Sequence, residues 1–209
     1  MAALRLEDLR RHSDALRLRG GQSLTLRFVE PGDADALQRY FRSLTMRSRY
    51  NRFLGAMSEL TPGELDRFIH PGEDDRFSVI ATASIDGREA VVGEARYAFH
   101  SELENFEFGL SIHDGWHRQG VGTAMLANMQ CRAAALGALT LFGDTLRSND
   151  AMIALARKSG FAFARHPDDW KLVRFEKHVD PAHPAFPCAS WRLAAERMSG
   201  QGARQLISR

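Results

Sequence analysis

The stretch WHRQGVGTAM, from Trp116 to Met125, places two glycines two residues apart, with Arg118 and Gln119 before them and an apolar run behind them. A helix that starts here leaves its first N–H groups without intrahelical acceptors and carries partial positive charge at that end. Glycines at such a start let the chain bend sharply and let a ligand approach the backbone. The chemistry on offer is the gripping of a phosphate, with Arg118 and Gln119 adding charge and donors at the rim. A plain tight turn is the alternative. The dinucleotide fingerprint does not fit, because Met125 stands where its third glycine belongs and Ala138–Phe142 holds no acid. No Gly-Lys-Ser/Thr follows, so this is not a P-loop either.

Other constellations offer less. His113 and His117 are four apart, but Asp114-Gly115 between them reads as a turn, and no His-Glu-x-x-His occurs; no metal site is expected. There is no Gly-x-Ser-x-Gly elbow for a serine nucleophile. Cys131 falls in an apolar helical run with no histidine partner, and Cys131 and Cys188 make neither a disulfide framework nor a zinc site. Trp116 reads as packing against the helix, or as a shield for a cofactor. FRSLTMRSRYNRF, Phe41 to Phe53, has four arginines and no acid. It reads as a solvated helix face, with phosphate contact as the alternative.

These groups need a scaffold. The chain has 209 residues, 44% hydrophobic and 26% charged, with a net charge of +2. Such values suit a self-supporting globular core and give no preference for nucleic acid or membrane. No window reaches the 18 apolar residues of a membrane span. The N-terminus lacks a signal-peptide pattern, and a reducing cytoplasm fits best. Residues 1–20 read as a short amphipathic helix or loose arm, and Ser23–Val29 as a strand. Asp33 is a candidate N-cap for a helix carrying Leu37, Tyr40 and Phe41. Thr61, Pro62 and Glu64 spell a capped helix start. Arg76–Ile85 and Glu89–His100 flank an Asp86-Gly87 turn and read as a hairpin. Asn105–Ile112 alternates as a strand, Gly122–Leu136 has a helix face, and Ala138–Leu146 is an apolar strand. A helix capped by Ser148 runs to Lys158 and stops at Gly160. Two last strands follow, then a tail with a short helix, ASWRLAAERM. The strand–helix–strand unit at the centre demands a parallel pair; the rest can be antiparallel. The expected class is α/β: a mixed, mostly antiparallel sheet with helices on both faces.

WHRQGVGTAML, preceded by FEFGLSI and followed by LRSNDAMIALARKSGF, resembles the acetyl-CoA-binding core of the GNAT N-acetyltransferases. Gly120 and Gly122 match the small positions of that family's Gln/Arg-x-x-Gly-x-Gly/Ala signature, Asn149 its later Asn, and Gly160-Phe161 its ending. His117 stands where Gln or Arg is usual. The N-terminal half, LTLRFVEPGDADALQRYFRSLTMRSRYNRF, resembles the bacterial subgroup that acetylates protein lysines. The likeness spans roughly residues 22–177, expected as the catalytic domain, with an arm (1–21) before it and an extension (178–209) after it.

The resemblance implies a fold in which Asn105–Ile112 and Ala138–Leu146 run parallel and splay apart. The pantetheine arm of acetyl-CoA would pair with backbone at Leu110, Ser111 and Ile112. Its diphosphate would sit on the N–H groups of Arg118, Gln119, Gly120, Val121, Gly122 and Thr123, with His117 and Asn149 in the same binding set. An amine, on a protein lysine or a small molecule, then attacks the thioester, and a base takes its proton. Two bases are candidates: Glu107, where the lysine-acetylating subgroup carries Glu, and Asp144, where some N-terminal acetyltransferases do. Many members have a tyrosine acid seven after the Asn; here that position is Ala156. The rival reading is a catalytically silent acyl-CoA sensor or interaction module. A nucleic-acid-associated role for the Arg42–Arg52 face is a weaker third, against the near-neutral charge. The C-terminal extension reads as covering a sheet edge or swapping between the subunits of a homodimer.

Overall fold

A computed structural model of the chain describes residues 13–18, 20–70, 76–100, 102–135 and 137–179. The tail helix read at ASWRLAAERM, the first twelve residues and Cys188 lie outside these. The elements in chain order are β1 (Ser13–Arg17), β2 (Ser23–Phe28), α1 (Ala34–Ser43), α2 (Met46–Phe53), α3 (Pro62–Ile69), β3 (Arg76–Ile85), β4 (Arg88–His100), β5 (Asn105–Ile112), α4 (Val121–Ala135), β6 (Thr140–Leu146), α5 (Asp150–Lys158), β7 (Ala162–Arg165) and β8 (Leu172–His178). The strands form one sheet in the order β1-β2-β3-β4-β5-β6-β8-β7. Every neighbouring pair is antiparallel except β5 and β6. The expected mixed sheet is therefore present.

Each face of the sheet carries its own core. Leu26, Phe28, Val79, Tyr97, Phe106 and Phe108 pack with α4, through Val121, Met125, Leu126 and Met129. On the other face Ile80 and Val29 pack with Leu37, Tyr40 and Phe41 of α1 and Phe68 of α3. α4 approaches β4 closely because Gly93 has no side chain; a Cβ there would stand 2.7 Å from Met125 Sδ. Asp86 and Gly87 both have positive φ, 50° and 74°, the geometry the hairpin turn requires. Thr61 and Glu64 form the expected capping box of α3.

Several local expectations are corrected. Residues 13–17, expected in a helix or loose arm, form strand β1 on the edge of β2. Asp33 holds the expected N-cap position of α1, but its side chain makes no capping bond; its carboxylate is taken by Arg27, at 2.7 and 2.8 Å, and by the Glu30 N–H. Asn149, not Ser148, caps α5. The basic stretch holds a separate helix, α2, started by Thr45, whose side chain accepts from the Ser48 N–H. The solvated face expected for the basic stretch holds only in part: Arg42 and Arg47 are exposed, but Arg52 turns inward, only 14% exposed, against Glu94. Cys131 is buried in the core as expected, but its sulfur is in a disulfide. Among the described residues no helix is long and apolar enough to cross a membrane.

Candidate active site at the strand splay

β5 and β6 pair at only three positions, Asn105 with Thr140, Phe106 with Leu141 and Glu107 with Phe142. Beyond them β5 continues to Ile112 along β4, and β6 continues to Leu146 along β8. The two strands diverge, leaving one backbone edge of β5 from Phe108 to Ile112 without a strand partner among the described residues. Gly143 stands at the fork. A Cβ on it would lie 2.7 Å from the Phe108 carbonyl oxygen and 2.7 Å from the Phe175 ring, so only glycine fits here without displacement.

The free edge of β5 leads into the glycine-hinged turn. Arg118 has φ +60° and Gly120 φ +94°. Left-handed residues alternating along a turn point successive N–H groups into one concavity, an arrangement suited to anions. No described residue accepts a hydrogen bond from the N–H groups of residues 118–123, and α4 starts at Val121 with its dipole aimed at the same place. Gly122 serves a second purpose, since a Cβ there would meet Leu155 Cδ2 at 3.1 Å. His117 and Gln119 are less open than expected. The His117 Nε2 lies 2.9 Å from the Ile112 carbonyl, and the Gln119 side chain donates to the Gly115 carbonyl at 2.7 Å. Asn149 is occupied as well: its Oδ1 accepts from the Met152 N–H and its Nδ2 donates to Thr145 Oγ1.

A cleft of about 390 Å³ occupies the fork. Glu107, Phe108, Gly109 and Leu110 of β5 line one side, Asp144 and Thr145 of β6 the other, and Asn51 and Arg52 of α2, with Leu54 just after it, the roof. Both sequence-derived carboxylates thus face one cavity, but in different company. Asp144 is 16% exposed and receives Arg174 through two bonds, Nε to Oδ1 at 3.0 Å and a second at 2.8 Å to Oδ2, with His166 Nε2 at 3.4 Å. The Asp144 bonds, with smaller attractions from Glu107 and Glu176, raise the basicity of Arg174. Glu107 is 53% exposed, and its nearest ion-pairing neighbour is His100 Nε2, at 3.6 Å.

Behind the cleft lies a buried network absent from the sequence reading. Glu94 is 1% exposed, pairs with Arg52 through both oxygens and accepts from Ser111 Oγ at 2.8 Å. Ser111 Oγ in turn meets the Tyr40 hydroxyl at 3.0 Å. Burial first, then the Glu94 charge, pushes the Tyr40 phenol well above its usual range and keeps it neutral. The network clamps the unpaired half of β5 against α1 and α2. Asp114 ties α2 to the turn after β5, accepting from the Thr45 N–H at 2.9 Å, Thr45 Oγ1 at 2.9 Å and Ser48 Oγ at 2.7 Å. Burial alone would push its carboxyl up. The bonds from Thr45 and Ser48, with His117 nearby, outweigh that and set it below its ordinary value. The signal available in sequence was the Thr-x-x-Ser cap at Thr45.

A family model described as an acetyltransferase (GNAT) domain matches residues 23–162, more than half of the chain. The chain belongs to the GNAT acetyltransferases. It is an acyltransferase, in a family whose donor is acetyl-CoA. An acetyltransferase of Pseudomonas aeruginosa is 26% identical over 149 residues, 71% of this chain and 80% of that one. Among solved structures, the GNAT domain of S. lividans PAT matches with TM-score 0.72 and 22% identity, over 79% of this chain and 96% of that one. A spermidine N-acetyltransferase from Vibrio cholerae, in complex with CoA and spermine, matches with TM-score 0.61 and 14% identity, over 75% and 95%. A cAMP-binding acyltransferase from Mycobacterium smegmatis matches with TM-score 0.58 and 21% identity; this chain spans 54% of its length. At these identities the structural likenesses speak to the GNAT fold alone. Among the described residues no group of acids, histidines and cysteines could hold a metal. Ala156, where many GNAT enzymes have tyrosine, is fully buried on α5.

Proposed function

We propose that this GNAT enzyme moves an acetyl group from acetyl-CoA to a primary amine, on a protein lysine or a small molecule, by direct attack on the thioester. The observation that carries the reading is the fork itself: β5 and β6 part after Glu107, and the unpartnered edge of β5 runs straight into an uncapped anion-binding turn. The N–H groups of Arg118 through Thr123 would hold the diphosphate. Backbone at Leu110, Ser111 and Ile112 would pair with the pantetheine arm, although the Ile112 carbonyl is shared with His117. His117 and Asn149 then shape the binding site rather than supply free donors.

Glu107 is our choice of base. It is open to the cleft and to water, whereas Asp144 is held in a two-point bond by Arg174. Glu107 takes a proton from the attacking nitrogen, directly or through water. The new C–N bond forms as the C–S bond breaks, and coenzyme A leaves as a thiolate that takes its proton from solvent. Asp144 and Arg174 act as one neutral wall that fixes the shape of the cleft. We read residues 22–177 as the catalytic domain, with the flanking segments outside it.

Calorimetric titration with acetyl-CoA, followed by thiol-release assays over an amine panel, tests the reading. Binding with turnover on at least one amine is expected. Binding without turnover on any amine makes the chain a sensor, and no binding at all overturns the proposal.

A further inference from the structure

The side of the cleft away from Asp144 is cationic. Arg76 on β3, Arg96 on β4 and Arg52 on α2 all line it. Arg52 is held by Glu94. Among the described residues neither Arg76 nor Arg96 has an ion-pair partner; Arg96 lies instead over the Phe68 ring, 4.5 Å from its centroid. Burial, then the positive charges of Arg52, Arg76 and Arg67, lower the basicity of Arg96, with Glu94 opposing. Like charges gathered in a partly desolvated wall favour an added anion.

Strand register fixes where these cations stand. Arg76, Ala98 and Glu107 oppose one another on three neighbouring strands, and Arg96 opposes Gly109. Directly opposed residues share a face, so both arginines lie on the Glu107 side of the sheet. Arg96 is the diagonal neighbour of Glu107, roughly 7–8 Å away between Cα atoms. Arg76 is two strand widths away, about 10 Å. The floor between them is Ala98 and Gly109, which add almost no bulk.

We propose that the acceptor is an amine that also carries a carboxylate or phosphate, its anion seated between Arg96 and Arg76 and its nitrogen presented at Glu107. This rests on the acetyl-transfer reading. The guanidinium fork suits planar or tetrahedral oxyanions, and the same wall disfavours polycationic amines.

Matched pairs test it: 6-aminohexanoate against hexylamine, O-phosphoethanolamine against ethanolamine, and lysine peptides flanked by aspartate against the same flanked by arginine. The small and peptide arms distinguish a free metabolite from an acidic protein site. In each productive arm the anionic member should have kcat/KM at least about tenfold higher. Arg96→Gln should erase that preference by raising the amine KM, leaving the acetyl-CoA KM and the unfolding midpoint in place, and Arg96→Lys should restore part of it. Equal or better turnover of neutral and cationic amines, or a silent Arg96→Gln, overturns the inference while leaving acetyl transfer standing. If acetyl-CoA binds but nothing turns over, titrating 6-aminohexanoate and O-phosphoethanolamine into CoA-saturated protein decides: heat lost in Arg96→Gln supports the anion seat, and no heat with the wild type overturns it. Failure to bind acetyl-CoA sinks the acetyl-transfer reading, and the anion seat with it.

Discussion

Glu107 and Asp144 share a cavity, and their neighbours separate their chemistry. A carboxylate fixed by two nitrogens of a guanidinium has its lone pairs taken up before any proton arrives; one whose ion-pairing neighbour among the described residues is an imidazole at 3.6 Å does not. Glu107→Gln should therefore lower kcat by about 10²–10⁴-fold with acetyl-CoA affinity unchanged. Asp144→Asn should leave kcat largely in place. If the large loss of kcat appears only in Asp144→Asn, the assignment of the base is reversed. Gly120 gives a second test at this scale. With φ +94°, any L-residue there costs about 1–2 kcal/mol, so Gly120→Ala should weaken acetyl-CoA binding in calorimetry before it alters kcat.

At the scale of elements, α2 is the part that holds the fork open on one side. Its N-terminus is tied by Asp114 to the turn after β5, and Arg47 reaches the Ser148 carbonyl, at 3.4 Å, on the far side of the cleft. Because the folded state holds the Asp114 carboxyl below its usual range, its stabilising effect is complete above the ordinary aspartate pKa, near ~3.9. It is lost as pH falls through the lower folded value. Asp114→Asn should flatten that part of the acid unfolding curve measured by circular dichroism. α2 was also the element least legible in sequence. Its three arginines, with Arg42 before them, looked like a solvated face, since nothing along the chain says that Glu94, forty-two residues on, waits for Arg52. Elements with local signals fared better: the Thr61–Glu64 box, the Asp86-Gly87 turn and the alternation of Asn105–Ile112 each name their own structure. β1 had no such signal, because an edge strand of five residues is settled by its partner.

For the whole molecule, the buried Glu94–Arg52 pair couples the helical layer to the sheet. Removing one member leaves an uncompensated buried charge, so Arg52→Met should destabilise the protein by about 3–5 kcal/mol in denaturant titration. A loss under 1 kcal/mol would show that water already compensates the carboxylate. The parallel pair followed from the strand–helix–strand pattern, and the splay from family resemblance. Arg132, fully buried in the middle of α4 and stacked 4.8 Å from the Phe28 ring, did not. A cation within an apolar helix face is explained only by what the fold brings against it.

The three-position seam between β5 and β6 has a consequence for cohesion. Two leaves of sheet, β1 to β5 and β6 to β8, touch as backbone along less than half of their facing edges. A ligand laid in the open part would act as a ninth, non-protein strand and suture the leaves. Between Phe108 and Ile112, the amides that point into the gap rather than toward β4 should then exchange with deuterium quickly in the apo protein and slowly once the gap is filled, while those of β3 and β4 stay unchanged.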